Sequence, residues 1–282
     1  MPALFALLSS LLWGTADFLG GAATRRLPVP SVVGVSQLIA LVALLPVAAL
    51  TGALDTPTGY VVPGVLAGLV GTAAIGAFYQ ALATGTMGIV APVAALGVVL
   101  PVAFGLVRGD APSDPQLFGI AVAVAGVLLA SGPELSGGAG ARPLLLALGA
   151  AAGFGVVFVL IAEGSRGGAG AVVMTLVTMR LTSVVARGGL LVATARTRGW
   201  DLRVRRGDLP VLAATGLGDV GANACYAVAT RGSLLSVVAV LGSLYPVVTV
   251  LLARRLLAER LRPVQIAGVG AALLGVVLLA VG

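Results

Sequence analysis

Apolar side chains run along this chain in long unbroken stretches, interrupted by short clusters of glycine, proline and charge. Each stretch has about the length one helix needs to cross the hydrocarbon core of a bilayer, roughly 20 residues at ~1.5 Å per residue. The pattern places ten helices at about 4–23, 31–50, 61–83, 87–106, 115–131, 143–162, 171–194, 209–229, 234–253 and 264–281. A membrane barrel would need segments of about ten residues that alternate in hydrophobicity. Residues 266–281 stay apolar throughout and do not alternate. The expectation is an all-α, polytopic membrane protein. The first stretch has no basic segment ahead of it and carries Asp17, so it reads as a retained helix rather than a cleaved signal.

The apolar pattern also repeats. Leu96-Gly97 and Pro101 correspond to Leu241-Gly242 and Pro246 at a constant offset of 145. Gln116, Gly119 and Gly126 correspond to Gln265, Gly268 and Gly275 at 149, an offset that Asp110 and Glu259 share. Ala81-Leu82-Ala83-Thr84 matches Ala227-Val228-Ala229-Thr230, and Trp13-Gly14 matches Phe154-Gly155. The ordered set divides the chain into two five-helix units, 1–132 and 142–282, within a single membrane domain. Five is odd, so the second unit enters the membrane from the opposite side. Inverted repeats of this kind characterise secondary transporters, whose halves exchange conformations to alternate access.

Composition agrees and narrows the classes. The chain is 59% hydrophobic and 10% charged, where a soluble domain carries about 25% charged residues. Its net charge of +7 comes from 17 arginines and no lysine. A basic soluble protein would point to nucleic acid. Here the arginines sit mostly between apolar spans, so topology and anionic lipid headgroups account for them and no nucleic-acid partner is expected. Arginine without lysine, beside abundant Ala, Gly and Val, fits a GC-rich bacterial genome and hence an inner membrane. One cysteine, Cys225, excludes an intrachain disulfide. The absence of histidine removes the commonest general base and metal ligand, and no metal or cofactor site is expected. An intramembrane aspartyl protease remains open only if Asp17 and Asp219 meet. A channel would need a filter-like segment, and none stands out. A non-transporting scaffold is the other alternative.

The stretch from Ser236 to Leu279 resembles the EamA-type repeat of the drug/metabolite transporter superfamily. The resemblance rests on Leu241-Gly242-Ser243-Leu244-Tyr245-Pro246, Ala258-Glu259-Arg260, Gln265, Gly268 and Gly275. Residues 86–130 resemble it more loosely, with Asp110 in place of the usual Glu. Trp13-Gly14 and Asp17-Phe18-Leu19-Gly20-Gly21 are similar to one branch. The resemblance implies ten helices, no cofactor, both termini in the cytoplasm, and export of a small metabolite, amino acid or drug. The arginines point the other way on orientation. Twelve lie in odd-numbered loops, against Arg108, Arg166 and Arg231 in even-numbered ones. That places the odd loops in the cytoplasm and the termini outside.

Charges at membrane depth cost ~2.5–3.5 kcal/mol each on insertion scales, so they are functional candidates. Asp219 lies at the centre of the eighth span, Arg180 near the middle of the seventh, and Asp17 just past the middle of the first. Arg187 shares Arg180's face and is expected to snorkel toward the helix end. Asp219 and Arg180 are read as facing a central cavity. There Asp219 is a candidate proton acceptor, and Arg180 a candidate ligand for a carboxylate or phosphate. The plain alternative is an ion pair that only locks two helices. Asp17 has the alternatives of capping a neighbouring helix or pairing with a surface arginine. Gln37, at Arg180's position in the repeat (offset 143), Gln80 and Asn223 are candidate substrate ligands or interhelical links. Trp13 and Tyr245 are candidate pocket aromatics, while Tyr79 and Tyr226 near span ends read as interfacial anchors. Pro101 and Pro246 are candidate gating kinks. Gly64/Gly68 and Gly149/Gly153 are small-residue pairs for packing within the chain or between two copies, leaving monomer and homodimer open. Glu259 is expected in local ion pairs, and 196–208 as a solvated loop.

Overall fold

The computed structural model describes residues 1–85, 87–131, 141–198, 204–257 and 263–281. Among them the chain is helical, with no strand. The helices are α1 (Pro2–Thr24), α2 (Val29–Leu50), α3 (Val61–Thr84), α4 (Met87–Ala95), α5 (Val99–Val107), α6 (Asp114–Ser131), α7 (Ala141–Gly164), α8 (Ala169–Arg198), α9 (Leu209–Thr230), α10 (Leu235–Gly242), α11 (Tyr245–Leu257) and α12 (Pro263–Val281). Among the described residues, six stretches are long and apolar enough to cross a membrane: Pro2–Thr24, Val29–Leu50, Thr58–Thr84, Arg142–Gly167, Ala169–Gly189 and Leu235–Leu256. The outer faces are apolar as well. Leu4, Leu11, Val42, Leu45, Leu69, Leu145, Val185 and Leu274 are all exposed. Such a surface suits lipid rather than water.

Two expected spans are interrupted rather than kinked. The stretch 87–106 divides into α4 and α5 at a 3-10 turn, Leu96–Val98, and 234–253 divides into α10 and α11 at Ser243 and Leu244. Both breaks fall just before the matched prolines. Pro101 and Pro246 therefore sit in the first turn of α5 and α11, where a missing N–H has no intrahelical partner to lose. Neither proline is the cause of a kink in a continuous helix. The expected loop at 196–208 is also shorter than read, because α8 continues to Arg198 and Arg206–Asp208 form a short 3-10 turn. Glu259, with Ala258 and Arg260, lies outside the described residues.

Helix packing follows the repeat. With α1–α6 matched to α7–α12, α1 lies along α9 as α3 lies along α7, and α2 meets α9 as α8 meets α3. The pairs α2–α8 and α6–α12 map onto themselves. Most of this packing joins one half to the other. Small residues permit it. A side chain at Gly68 would strike the Met179 carbonyl, and one at Gly216 the Ser36 carbonyl, with Ser36 and Met179 at the same offset of 143 as Gln37 and Arg180. Gly64 packs on Thr175 and Thr178 of α8, and Gly153 on Ala74 of α3, so these glycines serve contacts within the chain. Gly149 faces nothing within 4 Å. Hydroxyls add links between helices. Ser183 donates to the Gly68 carbonyl at 3.1 Å and Thr249 to the Gly14 carbonyl at 3.1 Å.

One loop shows how local sequence fixes a contact between halves. Gly109 takes φ +93° at the end of α5. The Asp110 amide then reaches the Gly105 carbonyl at 2.9 Å and the Gly109 amide the Leu106 carbonyl at 3.1 Å, a Schellman closure. The turn aims the Asp110 carboxylate at α10. Its Oδ2 accepts from both the amide and the hydroxyl of Ser236 at 2.9 Å, in the first turn of that helix. Gly105 lies directly beneath this carboxylate, and a β-carbon there would collide with it.

Candidate functional site

Three helices bring one polar group each to the middle of the bundle. Arg180 of α8 is buried to 2% exposure. Its Nη2 lies 2.9 Å from Asp219 Oδ2 of α9, and its Nη1 donates to Gln37 Oε1 of α2 at 2.6 Å. Gln37 Nε2 closes the ring on Asp219 Oδ2 at 3.4 Å. One turn beyond Asp219, Asn223 donates to Asp219 Oδ1 at 3.1 Å and to its backbone carbonyl at 2.7 Å. The arrangement answers the cost of a buried guanidinium with an opposite charge and a charge-assisted hydrogen bond. Gln37 occupies Arg180's place in the repeat, so the two equivalent positions meet at the centre.

This cluster forms part of the wall of a cavity of about 50 Å³, room for a few water molecules. The wall includes Trp13 and Asp17 of α1, Gln37, Arg180, Asp219 and Asn223, and Tyr245 at the start of α11. It also includes Ile75 of α3, Phe154 and Phe158 of α7, and Met179 and Ser183 of α8. The structure thus brings seven of the eight sequence candidates to one place. Gln80 is the exception: it lies outside the cavity, and its carbonyl accepts the Thr84 hydroxyl at 2.8 Å. The prolines proposed as gates do not line it either. Asp17 neither caps a helix nor pairs with an arginine. It is 8% exposed and forms no hydrogen bond or ion pair with a described residue. Asp219 is held by Arg180, Gln37 and Asn223, and no hydrogen bond joins it to Asp17.

Aromatic rings lie on both sides of the polar centre. Trp13 stacks on Phe158 at 5.0 Å, and Tyr226 packs tilted against both, with centroids 5.6 Å from Trp13 and 4.9 Å from Phe158. Phe78 meets Tyr79 at 5.9 Å and Phe154 edge-on at 5.4 Å. The ends of the bundle can be assigned from contacts. Arg108 and Arg166 flank Glu163 at 3.6 and 2.8 Å, which gathers the ends of α5 and α7 and the start of α8. Gly85, after α3, approaches Pro143 at the start of α7, while Gly164, at the end of α7, approaches Pro63 at the start of α3. So α3 and α7 are antiparallel. Phe158 lies toward the Glu163 end, while Phe78 and Tyr79 lie toward the opposite one. Tyr79 and Tyr226 are 2% and 0% exposed. They are therefore not interfacial anchors, because each helix turns its tyrosine inward against other rings.

Arg187 also departs from expectation. It does not snorkel outward; its Nη2 donates to the Thr72 carbonyl of α3 at 2.9 Å. Gly76, one turn after Thr72, leaves that carbonyl open. A β-carbon there would sit 3.2 Å from the guanidinium. Ser183 and the α7 phenylalanines were missed in the sequence. Ser183 is three residues past Arg180 on the same helix face. Phe154 and Phe158 stand at the positions that Trp13 and Asp17 hold in the first half, at an offset of 141. Carrying the repeat through would have found both.

Comparison with known proteins bears on the whole chain. The sequence profile of the EamA-like transporter family matches residues 1–132 and again 141–281. No curated protein matches the sequence. A crystal structure titled only as that of a protein superposes with a TM-score of 0.75 at 19% identity, over 98% of this chain and 95% of that one. At that identity the likeness speaks for the fold alone.

Proposed function

Because the chain belongs to the EamA-like transporter family of the drug/metabolite transporter superfamily, we propose that it is a secondary transporter that exports a small metabolite, amino acid or drug by alternating access. The members of this family are membrane transporters, so a bilayer and a small-molecule substrate follow from membership. The finer reading is ten spans in two inverted five-helix repeats, with α4–α5 and α10–α11 each crossing as one interrupted span. A bacterial inner membrane and coupling to the proton gradient through a cavity carboxylate complete it.

One observation carries the reading: a charged, hydrogen-bonded cluster at mid-bundle, with an aromatic cluster toward each end. A carrier needs a site that neither side reaches freely, with a barrier on each side that can open in turn. Trp13, Phe158 and Tyr226 would form one barrier, and Phe78, Tyr79 and Phe154 the other. Trp13 and Phe154 are repeat equivalents, so exchange of conformation between the halves would exchange the barriers. Broken helices beside a binding site recur in such carriers, and Tyr245 stands at the break between α10 and α11. The present cavity holds only a few waters, so substrate entry requires one aromatic cluster to part.

Flux in proteoliposomes under an imposed pH gradient tests the proposal. A labelled panel of organic cations, zwitterions and anions is offered, with Arg180→Met and Asp219→Asn beside the parent. Saturable, gradient-driven flux of one class, lost in both variants, is the expected result. Flux that never saturates would point to a channel, and no flux for any class would reject the carrier.

A further inference from the structure

Three ionisable side chains line the cavity: Asp17, Arg180 and Asp219. Arg180 and Asp219 pair with each other. The carboxyl without a partner is that of Asp17. The side chain is buried on α1, reaches the cavity wall and has no described hydrogen-bond or ion-pair partner.

The groups facing it from each packed helix supply no counter-charge. From α9 comes Asp219, a second carboxyl, and Tyr226, tilted against Trp13. Cys225 of α9 does not line the cavity. From α3 comes Tyr79 and from α11 Tyr245. Helices α2 and α10 carry no titratable residue. Across the cavity, Arg180 Nη1 donates to Gln37 and Nη2 lies 2.9 Å from Asp219 as an ion pair, and Arg187 Nη2 donates to the Thr72 carbonyl. Arg25 and Arg26 lie eight and nine residues past Asp17, roughly 12 Å along the helix. Tyr245, also of the cavity wall, has a buried hydroxyl with no hydrogen-bond partner among the described residues, as have Nε and Nη2 of Arg180.

An uncompensated carboxylate at this depth is costly, so either a proton or a cation must accompany it. The wall around it is built for a cation. Trp13, Phe154, Phe158 and Tyr245 line the cavity beside it, and aromatic rings attract cations. No arginine in the wall has both terminal nitrogens free for an anion. We propose that Asp17 is an exchange site at which one proton and one small organic cation exclude each other. The substrate class is then an ammonium or guanidinium with an apolar or aromatic body.

Arrival of the cation displaces the proton from the Asp17 carboxyl, and departure of the cation lets a proton return. A monovalent substrate would thus leave against one proton, with no net charge moved. Asp219 stays clamped by Arg180 throughout. The inference rests on the carrier reading and names its substrate class.

The test is titration calorimetry of the purified full-length protein with benzyltrimethylammonium, which has no proton of its own, near pH 6 and near pH 8. Two buffers of different ionisation enthalpy report proton release. Binding should tighten toward high pH, by up to ~10-fold per pH unit, with about one proton released per cation. Asp17→Asn should abolish both binding and release, and Asp17→Glu should keep them. Phenylacetate, the anion with a similar body, should not bind. Failure of the cation to bind, pH-independent binding, binding that survives Asp17→Asn, or tighter binding of phenylacetate or phenylalanine would each overturn the assignment. Should Asp17→Asn not fold, proton release by the parent and the cation–anion comparison decide alone. The flux panel separates the two readings. Uptake of a zwitterion or anion without competition by the cation rejects the cation assignment and leaves the carrier standing, whereas no flux at all rejects the carrier.

Discussion

Replacing Arg180 by Met removes the charge and donors while keeping most of the length. Two interactions go: the ion pair to Asp219 at 2.9 Å and the hydrogen bond to Gln37 at 2.6 Å. Removing one partner of a buried pair costs about 3–5 kcal/mol. The Asp219 side chain is 20% exposed, toward the cavity, and it keeps Asn223 and Gln37 as donors, so the lower end applies. A loss of ~3 kcal/mol shifts the unfolding equilibrium by roughly 150-fold. Asp219→Asn should cost as much or more, since it strands a guanidinium that is 2% exposed. The double variant should cost less than the sum by about 2 kcal/mol, the signature of residues that act on each other. Reversible unfolding of the detergent-solubilised protein in sodium dodecyl sulfate, followed by circular dichroism, measures all corners of the cycle. Additivity of the two single losses within about 0.5 kcal/mol would mean that the pair is not formed in the folded protein.

Glycine positions separate close packing from open surface. Gly216→Ala drives a methyl into the Ser36 backbone and should lower stability by at least ~1–3 kcal/mol. Gly149→Ala meets nothing within 4 Å and should raise it by ~0.5–1 kcal/mol, both read as thermal midpoints in detergent. Asp110→Ala removes the cap on α10 and should cost ~1–2 kcal/mol, while Ser236→Ala on the Asp110→Ala background should add little. Pro101→Ala and Pro246→Ala should each change stability by less than ~1 kcal/mol. Both prolines sit in first turns, so a larger loss would show that they hold the breaks in place.

The all-helical, apolar character of the chain was legible because lipid imposes one demand on every stretch that crosses it, a long apolar run, and six described stretches meet it. The repeat was legible because small residues stay where helices crowd: Gly97 faces the Ala151 carbonyl, and Gly242 the rings of Tyr226 and Trp13. The helix breaks were not. Leu96-Gly97 and Ser243-Leu244 are apolar or small, and nothing in hydropathy distinguishes a 3-10 turn from an α turn. Asp219, Arg180 and Asp17 drew notice through the cost of charge at depth. Their partners could not be read, because pairing depends on the rotation of three helices about their own axes. Tyr79 and Tyr226 misled for a related reason. Position near a helix end set their depth, but the facing helices α1 and α7 set their direction.

The crossed packing of the two halves has a consequence for how the chain is made. Gln37 bonds Arg180, and α1 lies along α9, so the first half reaches the membrane long before its partners exist. The gap from Gln37 to Arg180 is 143 residues, about 7–30 s of synthesis at ~5–20 residues per second. During that interval Asp17 and Gln37 stand in the insertion machinery or in lipid with no second half to receive them. Birth order therefore selects for a first half whose polar groups tolerate waiting. An amide rather than a guanidinium at position 37 meets that demand, and the arginine arrives only with the helix that follows α7.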